Sequence, residues 1–415
     1  MNLHPNHPHH SLAKEKIKFL LLEGIHPRAR ERLQHAGYTQ VAEHPATLAR
    51  ATLARELAET HFLGIRSRTQ IDAALLNAAP RLTAIGCFCI GTDQVDLNAA
   101  EARGIAVFNA PYANTRSVAE LVIGEAIMLL RDIPRKLAAL KRGEWLKSAA
   151  GCHEIRGKKL GIVGYGHIGT QTGLLAEAFG MEVRYFDILP KLPLGNARPA
   201  ADLDEILAFC DVLTLHVPDT AATRNMIGER ELGKMNEDSV LINASRGTVV
   251  DLDALNAALL NDRLAGAALD VFPSEPKDRH SPFESPLCHL DQVLLTPHIG
   301  GSTLEAQANI AVEVAEKLVR YSDNGSTIGV VNLPEVAMPD HAGTHRILHI
   351  HRNEAGVLQQ INHVFADSGA NIAAQYLQTR GATGYVVMDI ETGDTSGLLE
   401  KLRAIPETIR CRVLY

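Results

Sequence analysis

The chain has 415 residues, more than a single domain usually holds, so two or three domains are expected. Its hydrophobic fraction of 46% and charged fraction of 21% are typical of a soluble globular protein, and no apolar run is long enough to span a membrane. A net charge of −7 argues against general affinity for nucleic acid. The cysteines are scattered and no secretory signal opens the chain, so reduced thiols in the cytoplasm are expected.

Two features suggest a metal site at first sight, and neither is expected to bind one. Residues 1–15 contain several histidines, but the segment is rich in proline and has no apolar periodicity, so it is predicted to be a disordered tail. Cys87 and Cys89 have no further ligands at a suitable spacing. We therefore expect no metal and interpret these cysteines as buried apolar thiols.

Residues 16–112 alternate short apolar runs with helical patterns, which predicts a first parallel α/β domain, completed by residues 301–330. Arg66, Ser67 and Arg68 follow its third strand. In an extended chain residues two apart face the same side, so the two guanidinium groups can converge on one anion. Two solvated arginines on a loop are the alternative.

A second α/β domain is predicted over residues 113–300. Its first helix is expected at Leu121–Leu130, with Ser117 and Glu120 forming an N-terminal capping pattern and Asn114 in the loop before it.

The most informative segment is KLGIVGYGHIGTQTGLLAEAFGMEVRYFD, residues 159–187. It predicts a strand, a turn over residues 164–169, a helix, and a second strand that ends at Asp187. Gly164 permits the tight turn, Gly166 lets the backbone approach a pyrophosphate, and Gly169 lets the helix pack on the strand. An acidic residue in the position of Asp187 binds a ribose 2′-hydroxyl and repels a 2′-phosphate, so the segment predicts NAD rather than NADP as cofactor.

Three chemically complementary residues follow three successive later strands: Arg246, Glu275 and His298. Ligands in open α/β sheets bind outside the carboxyl ends of the strands, so these side chains are expected to reach one crevice beside the cofactor. His298 is predicted to take the hydroxyl proton of a 2-hydroxy acid, Glu275 to fix and stabilise the imidazole, and Arg246 to hold the substrate carboxylate. Taken singly, each of them is also common as a surface ion-pair or capping residue.

The last part of the chain is predicted to be a linker, residues 331–344, and a separate unit, residues 345–415. Its pattern of strands and helices reads βαββαβ, which is the ferredoxin-like arrangement.

Several segments together resemble a known family: IRSRT, NAPYANTRSVAEL, GKKLGIVGYGHIGTQ, LINASRGTVVD, ALDVFPSEP, LLTPHIGGST and HIHRNEAGVL. From about Lys16 to Tyr415 the chain resembles the D-isomer-specific 2-hydroxy-acid dehydrogenases, in the form that ends in one ACT regulatory domain. The resemblance implies two doubly wound parallel-sheet domains followed by the ferredoxin-like unit. It also implies NAD-dependent oxidation of D-3-phosphoglycerate, feedback inhibition by L-serine and a homotetramer.

The resemblance assigns further residues. Substrate contacts are implied for Arg66, Ser67, Arg68 and Asn114, with Lys147 supplied by a neighbouring subunit. The end of the first strand and the start of the second strand of the last unit are expected to lie on adjacent connections, so their polar side chains could meet. If two such units pair edge to edge, serine is expected to bind His351 and Asn353 of one chain and Asn371 of the other. The cofactor is expected to contact Gly164, Tyr165, Gly166, His167, Ile168, Gly169, Asp187, His216, Val217, Pro218, Ala244, Ser245, Arg246, Asp270 and His298.

Two alternatives remain at this stage. Another enzyme of the same family, acting on glyoxylate, hydroxypyruvate or lactate, would need no second anion site at Arg66 and Arg68. A dinucleotide-sensing regulator without turnover would not need the complete trio of arginine, glutamate and histidine. A side activity that reduces 2-oxoglutarate, as in some relatives, is also left open.

Overall fold

The structure is a computed structural model that describes residues 12–276, 281–339, 345–391 and 396–414. Over these residues the chain divides into two compact units, Met1–Ala113 with Gln307–Tyr415, and Asn114–Ala306. Residues 1–11 of the predicted disordered tail lie outside the described residues. Its last residues are fixed, since Lys14 forms an ion pair of 2.8 Å with Asp323.

Five parallel strands form the first sheet: β1 (Lys18–Leu21), β2 (Gln40–Glu43), β3 (Phe62–Ile65), β4 (Ala84–Cys87) and β5 (Ala106–Phe108). Four helices connect them: α1 (Arg28–His35), α2 (Arg50–Leu57), α3 (Ala73–Asn77) and α4 (Leu97–Ala102). The spatial order is β2-β1-β3-β4-β5. Phe19 and Leu20 point into different buried clusters, so both faces of the sheet are covered and the strands β1, β3, β4 and β5 read as apolar runs, whereas the edge strand β2 is largely exposed.

The second unit contains a seven-stranded parallel sheet: β6 (Lys159–Val163), β7 (Glu182–Phe186), β8 (Arg198–Pro199), β9 (Val212–Leu215), β10 (Val240–Asn243), β11 (Gly266–Leu269) and β12 (Val293–Leu295). Its helices are α5 (Thr115–Leu130), α6 (Ile133–Lys141), α7 (His167–Ala178), α8 (Leu203–Phe209), α9 (Glu229–Leu232) and α10 (Leu252–Leu260), and α11 (Leu304–Asn324) follows the sheet. The order β12-β11-β10-β9-β6-β7-β8 reverses direction at β6, which places a ligand-binding crevice outside its carboxyl end.

The last sheet is antiparallel and follows the predicted βαββαβ order: β13 (His345–Arg352), α12 (Val357–Asp367), β14 (Ile372–Arg380), β15 (Thr383–Ile390), α13 (Ser396–Arg403) and β16 (Thr408–Leu414). The spatial order is β14-β15-β13-β16. The predicted fold class, two doubly wound sheets and a ferredoxin-like unit, is confirmed.

The ferredoxin-like sheet and the first sheet share one buried apolar cluster. Leu348 of β13 and Tyr385 of β15 lie in it together with Phe108 of β5. The hydroxyl of Tyr385 donates a hydrogen bond of 2.6 Å to the carbonyl of Gly325, just after α11. The C-terminal unit is therefore fixed against the first domain by both apolar packing and hydrogen bonds.

The predicted capping of the first helix of the second unit is wrong. Helix α5 begins at Thr115 rather than Leu121, because Val118 already faces the core. Ser117 therefore lies inside the helix, and Glu120 forms an ion pair within it instead of capping.

The predicted linker also differs from expectation over the part that the structure describes, residues 331–339. Leu333, Val336 and Met338 are buried in the cluster of the first sheet. The hydroxyl of Thr327 accepts a hydrogen bond of 2.7 Å from the backbone of Val336. This segment is thus packed against the first domain, because its alternating apolar residues have a core to enter.

Candidate active site

The glycine turn after β6 has the geometry of a phosphate-binding helix N-terminus. Gly164 has φ +92°, and a Cβ there would lie 2.4 Å from the carbonyl oxygen of His216, so only glycine fits. A Cβ at Gly169 would lie 2.2 Å from the carbonyl oxygen of Gly164. At Gly166, by contrast, a Cβ would meet no atom within 4 Å. The start of α7, at His167 and Ile168, is therefore open to an anion.

Asp187 holds this turn against the end of β7. Its Oδ2 accepts a hydrogen bond of 2.9 Å from the backbone of Tyr165, and its Oδ1 accepts one of 2.9 Å from Leu189. A carboxylate has about four lone-pair positions, so acceptor capacity remains for a ribose hydroxyl.

His216 ends β9 and is followed by Val217 and Pro218. Its Nε2 lies 3.1 Å from the Thr214 hydroxyl, while Nδ1 is buried without a hydrogen-bond partner among the described residues. Burial lowers the pKa of His216 to about 3, so the ring is neutral. A buried ring nitrogen without a partner at a nucleotide-binding strand end fits a site that a ligand completes.

His298 and Glu275 meet through their side chains. Nδ1 of His298 lies 2.9 Å from Oε2 of Glu275 and 3.0 Å from Oε1. The hydrogen bond to Glu275 raises the pKa of His298, although burial opposes the rise. Burial favours a higher pKa for Glu275, but the hydrogen bond and the charge of His298 lower it overall. Because Nδ1 is engaged, Nε2 is the nitrogen left to exchange a proton with a substrate.

Asp270, directly after β11, fixes the loop that carries His298. Its Oδ1 accepts hydrogen bonds from the Thr296 hydroxyl at 2.6 Å and the Ile299 backbone at 2.7 Å, and its Oδ2 accepts one from Gly300 at 2.7 Å. His298 has φ +54°, a left-handed conformation that costs a non-glycine residue about 1–3 kcal/mol. The buried carboxylate of Asp270 thus binds the chain both before and after His298, and these hydrogen bonds stabilise the left-handed conformation.

Arg246 follows β10 and lies within electrostatic range of the pair. Its charge favours a lower pKa for Glu275 and opposes the rise in the pKa of His298. One guanidinium nitrogen, Nη1, donates a hydrogen bond of 2.7 Å to the carbonyl of Ser245. The structure thus brings together the three predicted catalytic residues.

The loop around Arg246 is held by two contacts that the sequence did not predict. Oδ1 of the buried Asn243 accepts hydrogen bonds from the Ser245 hydroxyl at 2.8 Å and the Ser245 backbone at 3.1 Å. A Cβ at Gly247 would lie 1.9 Å from the carbonyl carbon of Phe272. The loops that carry Ala244 to Arg246 and Glu275 therefore touch, and glycine is required where they do.

Asn114 occupies the N-cap position of α5 and is buried. Its Oδ1 has no hydrogen-bond partner among the described residues. A Cβ built on Gly301 would lie 2.5 Å from the Nδ2 of Asn114. A buried acceptor without a partner fits the substrate contact that was expected of Asn114.

Arg66 and Arg68 lie in the other compact unit. The chain bends after β3, so the expected extended geometry is absent. The buried carboxylate of Glu23 instead collects the backbone N–H groups of Arg66 (3.3 Å), Arg68 (3.0 Å) and Thr69 (2.9 Å). Ser67 lies within this bend. Arg68 Nε also lies 3.6 Å from Glu23, which partly neutralises it.

Lys147 lies in an exposed segment, residues 143–150, after α6. Trp145 in this segment is 79% exposed. Among the described residues no hydrogen bond or ion pair joins the Lys147 side chain to His298 or Glu275.

The residues expected to bind serine are not brought together within one chain. Asn353 donates a hydrogen bond of 3.2 Å to Gly381, near the start of β15, and His351 pairs with Gly384 of that strand. Asn371 donates one of 2.9 Å to Glu391, just beyond the other end of β15. The expectation that these loops adjoin is wrong for a single chain, because β13 and β14 are both antiparallel to β15.

Together these observations define a class. A doubly wound parallel sheet with a phosphate-binding glycine turn, and a histidine–carboxylate pair with an arginine at the strand ends, is the architecture of a dinucleotide-dependent dehydrogenase. Residues 123–300 match the family model described as D-isomer specific 2-hydroxyacid dehydrogenase, NAD binding domain. Residues 347–410 match the AHAS small subunit-like ACT domain.

Curated relatives extend the match over nearly the whole chain. The D-3-phosphoglycerate dehydrogenase of Haemophilus influenzae is 56% identical, covering 98% of this chain and 99% of its own. That of Escherichia coli is 58% identical with the same coverage. The crystal structure of D-lactate dehydrogenase from Aquifex aeolicus, complexed with NAD and lactic acid, is 27% identical, covers 77% of this chain and 100% of its own, and has a TM-score of 0.65. The chain belongs to the D-isomer specific 2-hydroxyacid dehydrogenases.

The protein is an NAD-dependent oxidoreductase, and the residues fit the cofactor. The open space before α7 at Gly166, the carboxylate of Asp187 and the partnerless Nδ1 of His216 are as a dinucleotide site requires. Over the described part of the chain no group of three metal-ligating side chains occurs, and the six cysteines are free. The described helices include none that is both long and apolar enough to cross a membrane.

Proposed function

We propose that the protein oxidises D-3-phosphoglycerate to 3-phosphohydroxypyruvate with NAD, the first step of phosphorylated L-serine synthesis, in the cytoplasm. The observation that carries this proposal is the identity of 56–58% over nearly full length with relatives that bear the name D-3-phosphoglycerate dehydrogenase. The site around His298, Glu275 and Arg246 supports it, because its chemistry suits oxidation of a 2-hydroxy acid.

The mechanism follows from the geometry of His298. The alcohol loses one proton and one hydride and becomes a ketone; bound NAD supplies the hydride acceptor. Nε2 of His298 takes the hydroxyl proton, and Glu275 on Nδ1 stabilises the imidazolium that forms. Arg246 binds the substrate carboxylate and polarises the forming carbonyl, since its guanidinium stays charged and offers several donors.

The substrate phosphate is assigned to the bend at Arg66. Glu23 fixes the backbone of this bend and pairs with the Arg68 side chain, so Arg66 is the arginine whose charge is left for an anion. Asn114 is assigned to the substrate through its partnerless Oδ1. Asp270 and the residues of the loops at His216 and Ala244 are assigned to the cofactor.

One assay separates this proposal from its rivals. Purified protein is mixed with NAD and D-3-phosphoglycerate, and the absorbance of reduced cofactor is followed; parallel reactions contain D-lactate, or NADH with glyoxylate, hydroxypyruvate or 2-oxoglutarate. A clear preference for the phosphorylated substrate is expected. Faster turnover of an unphosphorylated acid would assign the chain to another activity of the family, and binding of NADH without any turnover would make it a sensor.

We further propose feedback inhibition by L-serine in a homotetramer. His351 and Asn353 lie at one end of the ferredoxin-like sheet and Asn371 at the other, so two chains whose β14 edges pair would bring the two sets together. The edge strand β14 is largely exposed, which leaves it available for such pairing. A second contact is assigned to the exposed segment with Trp145 and Lys147, because a tryptophan exposed to 79% is typical of an interface.

A further inference from the structure

A cavity of about 600 Å³ lies between the first sheet and the ferredoxin-like unit, within one compact unit of the chain. One wall is formed by the amino ends of β1, β3 and β4, and the other by α13 and β16. Arg66 follows the carboxyl end of β3, whereas His61 precedes its amino end, so the cavity is on the side of the sheet away from the substrate-binding bend.

The cavity is strongly cationic. The described residues that line it include no carboxylate, and the basic residues among them are Lys16, Lys18, His61, Arg81, Arg403 and Arg412. One nearby carboxylate, Glu59, lies 2.6 Å from Arg81 and 3.6 Å from Lys18, and it is itself half exposed. Most of the positive charge is therefore not neutralised by the described residues around it.

The pKa of His61 is affected by this positive charge. Its Nδ1 accepts a hydrogen bond of 3.0 Å from the backbone N–H of Lys18, which leaves Nε2 to carry the proton. Burial lowers the pKa of His61, and the charges of Arg81, Lys18 and Arg412 lower it further. Basic groups on both walls therefore lower the pKa of the same imidazole.

Arg412 supplies a second, independent observation. Its guanidinium lies 5.3 Å from the ring centre of Tyr321, and its Nη1 is buried without a hydrogen-bond partner among the described residues. Burial of a charged donor without an acceptor is costly. Arg412 is among the residues that line the cavity, so an anion there would offset this cost through its charge.

The size and lining define the ligand. A volume of this order is that of small-molecule sites, roughly 300–1,000 Å³, and exceeds what one inorganic anion fills. Ile17, Phe62 and Leu399 add apolar surface beside the cations. We propose that the cavity binds a small organic anion with at least two acidic groups, phosphoryl or carboxylate, and that this ligand holds the ferredoxin-like unit against the first domain.

The consequence for the molecule is a stabilised contact. The ligand touches cations from both walls, so it binds only when β16 and α13 are docked on the first sheet. Mass action then favours the docked arrangement, and unfolding or undocking becomes less favourable as ligand is added.

The test uses two defined probes, tripolyphosphate and citrate, with the full-length protein. Isothermal titration calorimetry and melting temperature are measured against sodium chloride of matched ionic strength, for the parent and for the double variant Lys16→Ala/Arg403→Ala. These two side chains are exposed and come from opposite walls, so the variant is expected to fold. Lys401→Ala, on the same helix as Arg403 but outside the cavity, is the matched control.

At least one probe should bind the parent and raise its melting temperature, and the double variant should bind at least tenfold more weakly. The control should bind like the parent. Arg66→Ala should also retain binding, which shows that the heat does not come from the substrate site. If only tripolyphosphate binds, the cavity prefers phosphoryl groups. If both probes bind, the cavity accepts phosphoryl and carboxylate groups alike. No binding of either probe above the salt control, or equal losses in the double variant and Lys401→Ala, would overturn the proposal.

Discussion

His298 is the residue on which turnover is expected to depend most. Its raised pKa and its bond to Glu275 make it a base that is held in one orientation. His298→Ala should lower kcat on the order of 10²-fold or more. Glu275→Gln weakens the hydrogen bond and removes the charge that together raise the pKa of His298, so the pH at which oxidation reaches half its maximum should move downward.

The measurement is kcat and kcat/KM against pH for the parent and both variants. A His298→Ala enzyme with nearly parental turnover at every pH would remove this residue from the role of base. An unmoved profile in Glu275→Gln would assign the carboxylate to loop structure alone, through its hydrogen bond of 3.2 Å from Phe272.

The glycine turn allows a prediction with an internal control. A Cβ at Gly166 meets no atom, so Gly166→Ala should melt like the parent but raise KM for NAD, because the methyl group would occupy the approach of the pyrophosphate. Gly169→Ala places a methyl group 2.2 Å from a backbone oxygen and should lower the melting temperature. Thermal melts and NAD saturation curves decide the matter. Parental NAD affinity in Gly166→Ala would contradict the assignment of the phosphate site.

Arg66 and Arg68 form a matched pair for the substrate phosphate. Arg68 is partly neutralised by Glu23, whereas Arg66 is assigned to the ligand. Arg66→Ala should raise KM for D-3-phosphoglycerate much more than KM for an unphosphorylated 2-hydroxy acid, and Arg68→Ala should have a smaller effect. Steady-state kinetics with both substrates provide the test. If Arg66→Ala affects both substrates equally, the residue serves the carboxylate or the fold.

The sequence predicted which residues would converge, but not what holds them. Arg246, Glu275 and His298 were found because each follows a strand of a parallel sheet, and strand ends meet at one edge. Glu23 was missed as the group that fixes the bend at Arg66, because its partners lie more than 40 residues further along the chain. An acidic residue ending an apolar strand was the only local signal.

At the scale of elements, alternation of apolar strands and helical patterns predicted the fold class of all three sheets, but not the spatial order of their strands. Boundaries failed where tertiary contacts decide them. Helix α5 starts early because the side chain of Val118 is buried by the sheet, and no local pattern shows that. The prolines of residues 331–339 predict a linker because prolines mark turns, yet Leu333 and Val336 pack in a core formed by distant segments.

Helix α5 also carries a buried acid that the sequence did not single out. Burial raises the pKa of Glu125 to about 8 from an ordinary value of 4.5, and the charge of Asp270 adds to the rise. The unfolded chain therefore gives up this proton at lower pH than the folded chain. The contribution to folding stability is complete below 4.5 and is lost progressively as the pH rises toward about 8.

Glu125→Gln keeps the shape and removes the titration. The melting temperature of the variant should therefore fall less than that of the parent between about pH 5 and pH 9. Glu120→Gln, at an exposed position of the same helix, is the control and should follow the parent. If the melting temperatures of the parent and of Glu125→Gln change with pH in the same way over this range, Glu125 is charged in the folded protein.

At the scale of the whole molecule, the ferredoxin-like unit is recognisable from its strand order, while its docking on the first domain is not. The hydrogen bond from Tyr385 to Gly325 and the shared cluster with Phe108 join segments that are distant in sequence. An effector that bound the last sheet, as proposed for serine, would act on the substrate domain through this contact, since a ligand that favours one arrangement of packed domains changes the affinity of the other site.

Inhibition by serine tests whether a ligand at the last sheet affects the substrate domain. Asn371 lies at the exposed start of β14, and Asn371→Ala should leave uninhibited turnover near the parental value while weakening inhibition at least tenfold, about 1.4 kcal/mol. Gln375→Ala, also exposed on β14, is the matched control and should be inhibited like the parent. Reciprocity requires that serine bind with a different affinity when NADH or substrate is present, which calorimetry measures directly. Parent enzyme that stays fully active in millimolar serine, or an Asn371→Ala enzyme inhibited like the parent, would exclude this mechanism.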